Sequence, residues 1–120
     1  MIILDTNVVS EPLKPKPDAA VLTWLDRQSP ETLYLTTITL AELQAGIEIL
    51  PAGKRRKALR ETTTELAVQF EGRVLSFDQE SAHAFGRVFA DTQAAGNPIH
   101  VGDCSIAAIT VSRGFALATR

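Results

Sequence analysis

The sequence has few of the residues that stabilise small secreted proteins or span membranes. Its only cysteine is Cys104, which excludes an internal disulfide and a cysteine-rich zinc site. No apolar run approaches the roughly 18 residues of a membrane helix, and the first residues lack the basic start and apolar stretch of a signal peptide. We therefore expect a protein of the reducing cytoplasm, with no membrane partner.

Positive charge is also scarce. Twelve Lys and Arg residues stand against fourteen Asp and Glu residues, giving a formal net charge of -2. No global basic field therefore attracts nucleic acid, and any such contact must come from a local patch. The sequence has one basic cluster. A solvated helix face explains it, and a nucleic-acid contact is the alternative explanation. Its members are Lys54, Arg55, Arg56, Lys57 and Arg60.

The apolar residues are distributed as short runs between longer helical patterns. With 120 residues, of which 45% are hydrophobic and 6% aromatic, the chain can bury one core built mainly from aliphatic side chains. The prolines at 12, 15 and 17 exclude regular structure before a helix capped by Asp18. The alternation predicts one α/β domain with a short parallel sheet flanked by helices. Strands are predicted over 2–4, 33–35, 73–75 and 115–118, and helices over 18–27, 40–50, 54–70, 79–95 and 103–112.

Three acidic residues stand near the ends of predicted strands or at the starts of helices. Asp5 directly follows the first strand, Glu42 is placed in the first turn of the helix after the second strand, and Asp103 opens the helix before the last strand. Ligands of open parallel sheets bind beyond the carboxyl ends of the strands. Three carboxylates converging there would hold Mg²⁺ or Mn²⁺, because hard divalent ions prefer oxygen ligands.

Each acid also has a purely structural explanation. Asp5 can cap a short helix over 7–11, Thr39 and Glu42 match a capping box, and Asp103 suits an N-cap or first-turn position. Acids are common at helix starts because the helix dipole favours them there. The residues alone therefore nominate a metal site without proving it.

Two other enzyme classes can be weighed from the same residues. His100, Asp103 and Cys104 could form a cysteine-nucleophile hydrolase, but no glycine-rich elbow frames Cys104. A phosphatase resembling the haloacid dehalogenases would need a second Asp two residues after Asp5, where Asn7 stands. Both classes fit the sequence less well than a metal site.

Three longer stretches carry a family resemblance. They are LDTNVVSE at 4–11, TTITLAELQAGIEILPAGKRR at 36–56 and HVGDCSIAAITVSRGFALATR at 100–120. Together they resemble a PIN-domain ribonuclease of the VapC type, from its plasmid-stability branch. The resemblance covers nearly the whole chain in the right order. It implies a metal-dependent endoribonuclease toxin, paired with a small antitoxin that blocks its active site.

The resemblance also implies a role for particular residues. Asp5, Glu42 and Asp103 match the metal-binding and catalytic acids of the family, which hold Mg²⁺ or Mn²⁺ and hydrolyse RNA phosphodiester bonds with a metal-activated water. Asn7 matches a polar residue that orients the first acid, and Thr119 matches a hydroxyl residue beside the site.

The implied partners are an RNA substrate, a VapB-like DNA-binding antitoxin, operator DNA bound through the toxin–antitoxin complex, and a second copy of the chain in a homodimer. Arg55 and Arg56 are the candidate contacts for RNA or antitoxin.

The sequence departs from the family pattern in three places. The pattern continues past its final Thr-Arg to an Asn and a further acid, whereas this sequence stops at Arg120, so we expect residues 1–120 to be a single PIN domain lacking its C-terminal segment. Asn97 and Cys104 stand where relatives tend to carry Arg and Ala. The alternative function is therefore a weak or inactive PIN scaffold that binds antitoxin or nucleic acid without cleaving it.

Overall fold

Four parallel strands form a sheet in the order β3-β2-β1-β4, with β1 and β2 at its centre. The computed structural model describes all residues, 1–120. The strands are β1 Ile2–Leu4, β2 Leu33–Thr36, β3 Val74–Leu75 and β4 Ala116–Ala118, and the helices are α1 Thr6–Ser10, α2 Ala19–Asp26, α3 Thr37–Glu48, α4 Lys54–Gln69, α5 Gln79–Ala94 and α6 Val101–Arg113.

The register of the sheet brings the ends of β1 and β4 together. Ile2 is paired with Leu33 of β2, and Leu4 is paired with Ala118 of β4. Because all pairings are parallel, the carboxyl ends of the strands meet at one edge. The predicted fold class, a short parallel sheet flanked by helices, is confirmed.

The first strand is buried on both faces, as its all-apolar sequence predicts. Ile3 is fully buried against α6, where it packs on Ile106 and Ile109. Leu4 faces the opposite side of the sheet, because successive strand residues alternate, and it packs with Leu35 in the other core cluster. Helices therefore cover both faces of β1, and the strand delivers the residue that follows it to the carboxyl edge.

Helix boundaries differ from the predictions at two places near the acids. Helix α3 begins at Thr37 rather than near residue 40, because the Thr36 hydroxyl accepts a hydrogen bond from the Thr39 N–H at 3.2 Å. The predicted capping box of Thr39 and Glu42 is therefore wrong. Glu42 lies in the second turn of the helix, beyond the first-turn amides, so the prediction of a first-turn position is also wrong.

The second boundary change concerns α6. This helix begins at Val101 instead of residue 103, which makes Asp103 its third residue and confirms a first-turn position.

The proline-rich segment after α1 contains one turn of 3-10 helix, Glu11–Leu13, where regular structure was excluded. Pro12 is tolerated there because the N–H groups of a first helical turn have no intrahelical partner. No helix of the fold has the length and apolarity needed to cross a membrane.

Candidate active site at the carboxyl edge of the sheet

Asp5 lies at the junction of β1 and α1, and its backbone and side chain are both engaged. Its N–H donates to the Ala118 carbonyl at 3.0 Å, which extends the pairing of β1 with β4 by one residue. Its Oδ1 accepts a hydrogen bond from the Val8 N–H at 2.9 Å, and so caps α1. The cap predicted as the structural explanation of Asp5 is therefore present, and it fixes the orientation of the carboxylate.

The electrostatic surroundings of Asp5 place Asp103 nearby. Partial burial raises the pKa of Asp5 above its ordinary value of 3.8, and the hydrogen bond from the Val8 N–H opposes this rise. The negative charge of Asp103 raises the pKa of Asp5 further, while the backbone N–H groups of Asn7 and Arg120 lower it. Two predicted metal-binding acids thus lie close enough to repel each other when both are ionised.

Glu42 reaches toward the start of α6 from the neighbouring helix. Its Oε1 accepts a hydrogen bond from the Thr6 hydroxyl at 2.6 Å. Its Oε2 lies against Gly102, where an added Cβ would stand only 3.0 Å away. Because Gly102 immediately precedes Asp103, Glu42 is held beside the first turn of α6, which carries Asp103.

The donor set fits a hard divalent cation. All three predicted ligands offer carboxylate oxygens, and the absence of a side chain at Gly102 leaves the space that the Glu42 carboxylate occupies. In the conformation described here, no three acidic, histidine or cysteine side chains are gathered closely enough to hold a metal ion. The assignment of Asp5, Glu42 and Asp103 as metal ligands therefore stays a prediction.

The two predicted supporting residues differ in how they relate to Asp5. The Asn7 side chain is exposed, and only its backbone N–H acts on the Asp5 carboxylate. Thr119 follows the Ala118 carbonyl that accepts the Asp5 N–H, and it lines a cavity of about 440 Å³ between α2 and β4. Neither the Asn7 side-chain amide nor the Thr119 hydroxyl makes a hydrogen bond to a predicted metal ligand. Both supporting roles stay predictions.

Arg120 fixes the end of β4 through an ion-pair network. Its guanidinium binds Glu11 at 2.8 Å and Asp18 at 2.9 Å. The Glu11 side chain is only 3% exposed, since Lys14 at 2.8 Å and Arg120 shield its oxygens at the surface. The Lys14 ammonium and the Asp18 N–H hold the pKa of Glu11 below its ordinary value. The network holds in place the residue whose N–H acts on Asp5.

The sequence matches the family described as PIN domain over residues 2–120. One similar protein is VapC ribonuclease Y4jK of Sinorhizobium fredii. It is 46% identical over 100% of this chain and 86% of its own length. This chain is a PIN domain of the VapC family.

Two further relatives and one solved structure agree with the assignment. Plasmid stability protein StbB of Pseudomonas syringae pv. tomato is 50% identical to this PIN domain, and Toxin FitB of Neisseria gonorrhoeae is 39% identical, each over 100% of this chain and 87% of its own. The structure of FitAB bound to an IR36 DNA fragment matches with a TM-score of 0.94 and 38% identity, over 100% of this chain and 85% of that chain. The resemblance stated from the three sequence stretches is confirmed.

The cysteine-nucleophile alternative finds no support in this PIN domain. Cys104 is fully buried, and its Sγ lies 3.9 Å from the Phe85 carbonyl oxygen inside the α5–α6 interface. Burial raises the pKa of the Cys104 thiol, which disfavours the thiolate that a nucleophile needs. Cys104 acts as a small packing residue.

The two candidate arginines of the basic cluster have different surroundings. Arg56 binds Glu48 at 2.9 Å, and Arg60 binds the same carboxylate at 2.7 Å, so that Arg56 links α3 to α4. Arg55 makes no ion pair and lines a groove that also contains Glu42. We therefore keep only Arg55 as a candidate contact for RNA or antitoxin.

Sequence reasoning missed three residues that surround Glu42 or bond to its neighbour, namely Thr6, Thr39 and Gly102. Thr6 and Thr39 carry hydroxyls that meet at 3.0 Å although 33 positions separate them, and a single sequence gives no signal for such a contact. Gly102 could have been noticed in the sequence. Glycine is a poor helix former, and no turn explains a glycine next to an acid at the start of this helix.

Proposed function

We propose that this PIN domain is a Mg²⁺- or Mn²⁺-dependent endoribonuclease and the toxin of a toxin–antitoxin pair. The observation that carries the proposal is that Asp5, Glu42 and Asp103 come from three separate segments placed around one sheet edge, although their side chains are not gathered into a closed metal site. Asp103 acts electrostatically on Asp5, and Glu42 lies against the residue preceding Asp103. A family match over residues 2–120 supports it. We propose the cytoplasm as the place of this activity, because the proposed substrate is RNA.

Each acid has a defined part in this proposal. Bound at these oxygens, a divalent cation supplies an activated water and neutralises charge on the scissile phosphate. Asp5 offers a carboxylate whose orientation is fixed by the Val8 N–H, and Asp103 offers one from the rigid first turn of α6. Glu42 offers the oxygen Oε2, because Thr6 occupies Oε1.

The test is cleavage of RNA by the purified protein without antitoxin. We expect cleavage with Mg²⁺ or Mn²⁺, none in EDTA, and a loss of at least about 10–100-fold in Asp5→Asn, because losing even an outer-shell partner of a metal ligand costs that much. Asp26→Asn, at an exposed acid of α2, is the matched control and should cleave normally.

Equal cleavage by Asp5→Asn and the wild type would exclude the assignment of Asp5. A wild-type protein that binds its antitoxin but cleaves no RNA under any metal condition would establish the alternative, a PIN scaffold without nuclease activity.

A groove beside Glu42 is the surface we assign to the antitoxin. It has a volume of about 630 Å³ and runs between the proline-rich segment, α3 and α4. Its walls are largely apolar, its charged members include Arg55, and Glu42 stands at its margin. An extended or helical peptide with apolar side chains and one acid fits such a groove. FitAB is bound to an IR36 DNA fragment in its structure, and by this likeness we propose that the present toxin and its antitoxin bind operator DNA as a complex.

Arg55→Glu tests this surface against the same change at a neighbour. Lys57 lies on the same helix but does not line the groove, so Lys57→Glu is the matched control. We expect Arg55→Glu to slow association with the antitoxin of the same operon and to reduce its salt dependence, because charges at an interface act mainly on encounter. Equal association rates for the two variants would remove Arg55 from the interface.

We also propose that the toxin is a homodimer. Several of its exposed apolar side chains lie on or beside α5 and α6, including Phe89, Val101 and Val111. Their exposure is 39%, 68% and 56%, respectively. Light scattering of the antitoxin-free protein should give twice the mass of the chain, and a monomeric mass at micromolar concentration would contradict the proposal.

A further inference from the structure

Thr6 stands between two groups on α3 and makes a hydrogen bond to each. Its Oγ1 lies 2.6 Å from Glu42 Oε1 and 3.0 Å from Thr39 Oγ1. Thr6 is the donor in the hydrogen bond to Glu42, and a threonine hydroxyl has a single proton to donate. The Thr39 hydroxyl must then donate to Thr6. The direction of both bonds is fixed, from Thr39 through Thr6 to Glu42.

The Thr39 hydroxyl, which begins this chain of hydrogen bonds, lies in the core. Thr39 is fully buried, and its own N–H donates to the Thr36 hydroxyl that caps α3. Thr39 and Glu42 are three positions apart and share a face of α3, so a side chain on α1 can contact both. Through these two hydrogen bonds, the rigid start of α3 fixes the position of the exposed Glu42 side chain.

Glu42 has no other side-chain contact that would fix its carboxylate. It is exposed, forms no ion pair, and accepts its one side-chain hydrogen bond from Thr6. A free glutamate side chain loses considerable rotamer entropy when it is fixed in one conformation. Donors that fix it before the metal arrives lower that cost, and removing such partners of ligating carboxylates typically weakens metal binding by about 10–100-fold.

We propose that Thr6 is a positioning residue of the metal site, which holds Glu42 by Oε1 and leaves Oε2 beside Gly102 for the cation. This inference rests on the proposed function, since it requires Glu42 to be a metal ligand. It assigns a role to the residue between Asp5 and Asn7 that is separate from capping α1, because the cap is made by the Asp5 side chain alone.

The experiment measures Mn²⁺ binding by the purified full chain, using the electron paramagnetic resonance signal of free Mn²⁺. Thr6→Val keeps the shape of threonine and removes its hydroxyl, and we expect Mn²⁺ binding about 10–100-fold weaker than in the wild type. Thr6→Ser restores the hydroxyl and should bind within about threefold of the wild type. Thr64→Val is the matched control, because the Thr64 hydroxyl bonds only to the Arg60 carbonyl on α4.

Nuclease kinetics provide a second readout. The loss in Thr6→Val should be partly recovered at high Mn²⁺, since the ligand is still present but no longer held in place. A melting temperature measured in EDTA separates this effect from lost stability. If Thr6→Val does not fold, Thr6→Ala is compared with Thr6→Ser in the same assay.

The outcomes distinguish this inference from the function on which it rests. Wild-type Mn²⁺ affinity in Thr6→Val, together with weak binding in Asp5→Asn, would overturn the role of Thr6 and leave the metal site standing. Unchanged Mn²⁺ binding in Asp5→Asn would overturn the site itself. Weak binding in both Thr6→Val and Thr6→Ser would also contradict the inference, because the hydroxyl would then not be the group that matters.

Discussion

Alanine at Gly102 should impair the proposed nuclease activity without unfolding the protein. A Cβ at this position would lie 3.0 Å from Oε2 and 3.5 Å from Cδ of Glu42, so the carboxylate must move by a few tenths of an ångström. The backbone of α6 can accept alanine, since a positive φ occurs only at other glycines. The substitution therefore acts on the position of Glu42 rather than on the helix.

The two contributions to stability nearly cancel. Replacing a helical glycine by alanine stabilises a protein by about 0.4–1 kcal/mol. Weakening the hydrogen bond between Thr6 and Glu42 costs about 0.5–1.5 kcal/mol, and less where the acceptor is exposed. The free energy of unfolding of Gly102→Ala should thus change by less than about 1 kcal/mol.

The effect on the reaction should be larger. A catalytic group misplaced by 1 Å can cost about 100-fold in rate, so a shift of a few tenths of an ångström corresponds to about three- to tenfold. The assay compares single-turnover RNA cleavage and urea unfolding of Gly102→Ala with those of Gly86→Ala. Gly86 lies inside α5 with nothing within 4 Å of an added Cβ, so its variant should gain stability and cleave normally.

Wild-type cleavage by Gly102→Ala at limiting Mn²⁺ would refute the reasoning, because the space at Gly102 would then not define the position of Glu42. Equal slowing in Gly86→Ala would refute it as well, since the effect would come from helix rigidity.

Three other changes test the structure. Asp5→Asn in EDTA should melt no lower than the wild type at pH 7, because an asparagine still caps α1 and burial raises the pKa of Asp5, so that its charged form destabilises the native state; a clear fall in melting temperature would contradict this. Ile3→Ala should lower the free energy of unfolding by about 2–5 kcal/mol in urea titrations, because the side chain is fully buried against α6, and a loss below 1 kcal/mol would be too small for such a cavity. Glu11→Gln should flatten the acid side of the stability profile: the folded pKa of Glu11 lies below its ordinary value of 4.5, so its stabilisation is present above that pH and is lost as the pH falls through the lower folded pKa, and an unchanged profile would exclude this role.

The sequence predicted the strands and helices well because their signals are local. Ile2–Leu4 is short and entirely apolar, and the structure buries it on both faces. Asp18 caps the helix that follows it, as its position before a helical pattern predicts. The start of α3 was misplaced because several threonines precede it and each could cap a helix. Only the observed geometry selects Thr36.

The contacts that orient the site could not be predicted, because they join distant segments. Thr6 meets Glu42 across 36 positions, and Arg120 meets Asp18 across 102. Neither pair has a spacing that a helix or strand would explain, and the residue types are common on surfaces. The acids could be nominated because strand ends converge in a parallel sheet. The residues that hold them depend on packing between α1, α3 and α6.

The cap and the proposed metal ligand are compatible roles of Asp5. The Val8 N–H donates to Oδ1, which orients the Asp5 carboxylate relative to the end of β1. Thr6 does the same for Glu42 through Oε1. In both residues a group of α1 donates a hydrogen bond to one carboxylate oxygen. The short helix directly after the central strand therefore supplies a hydrogen-bond donor to each of two acids that we propose as metal ligands.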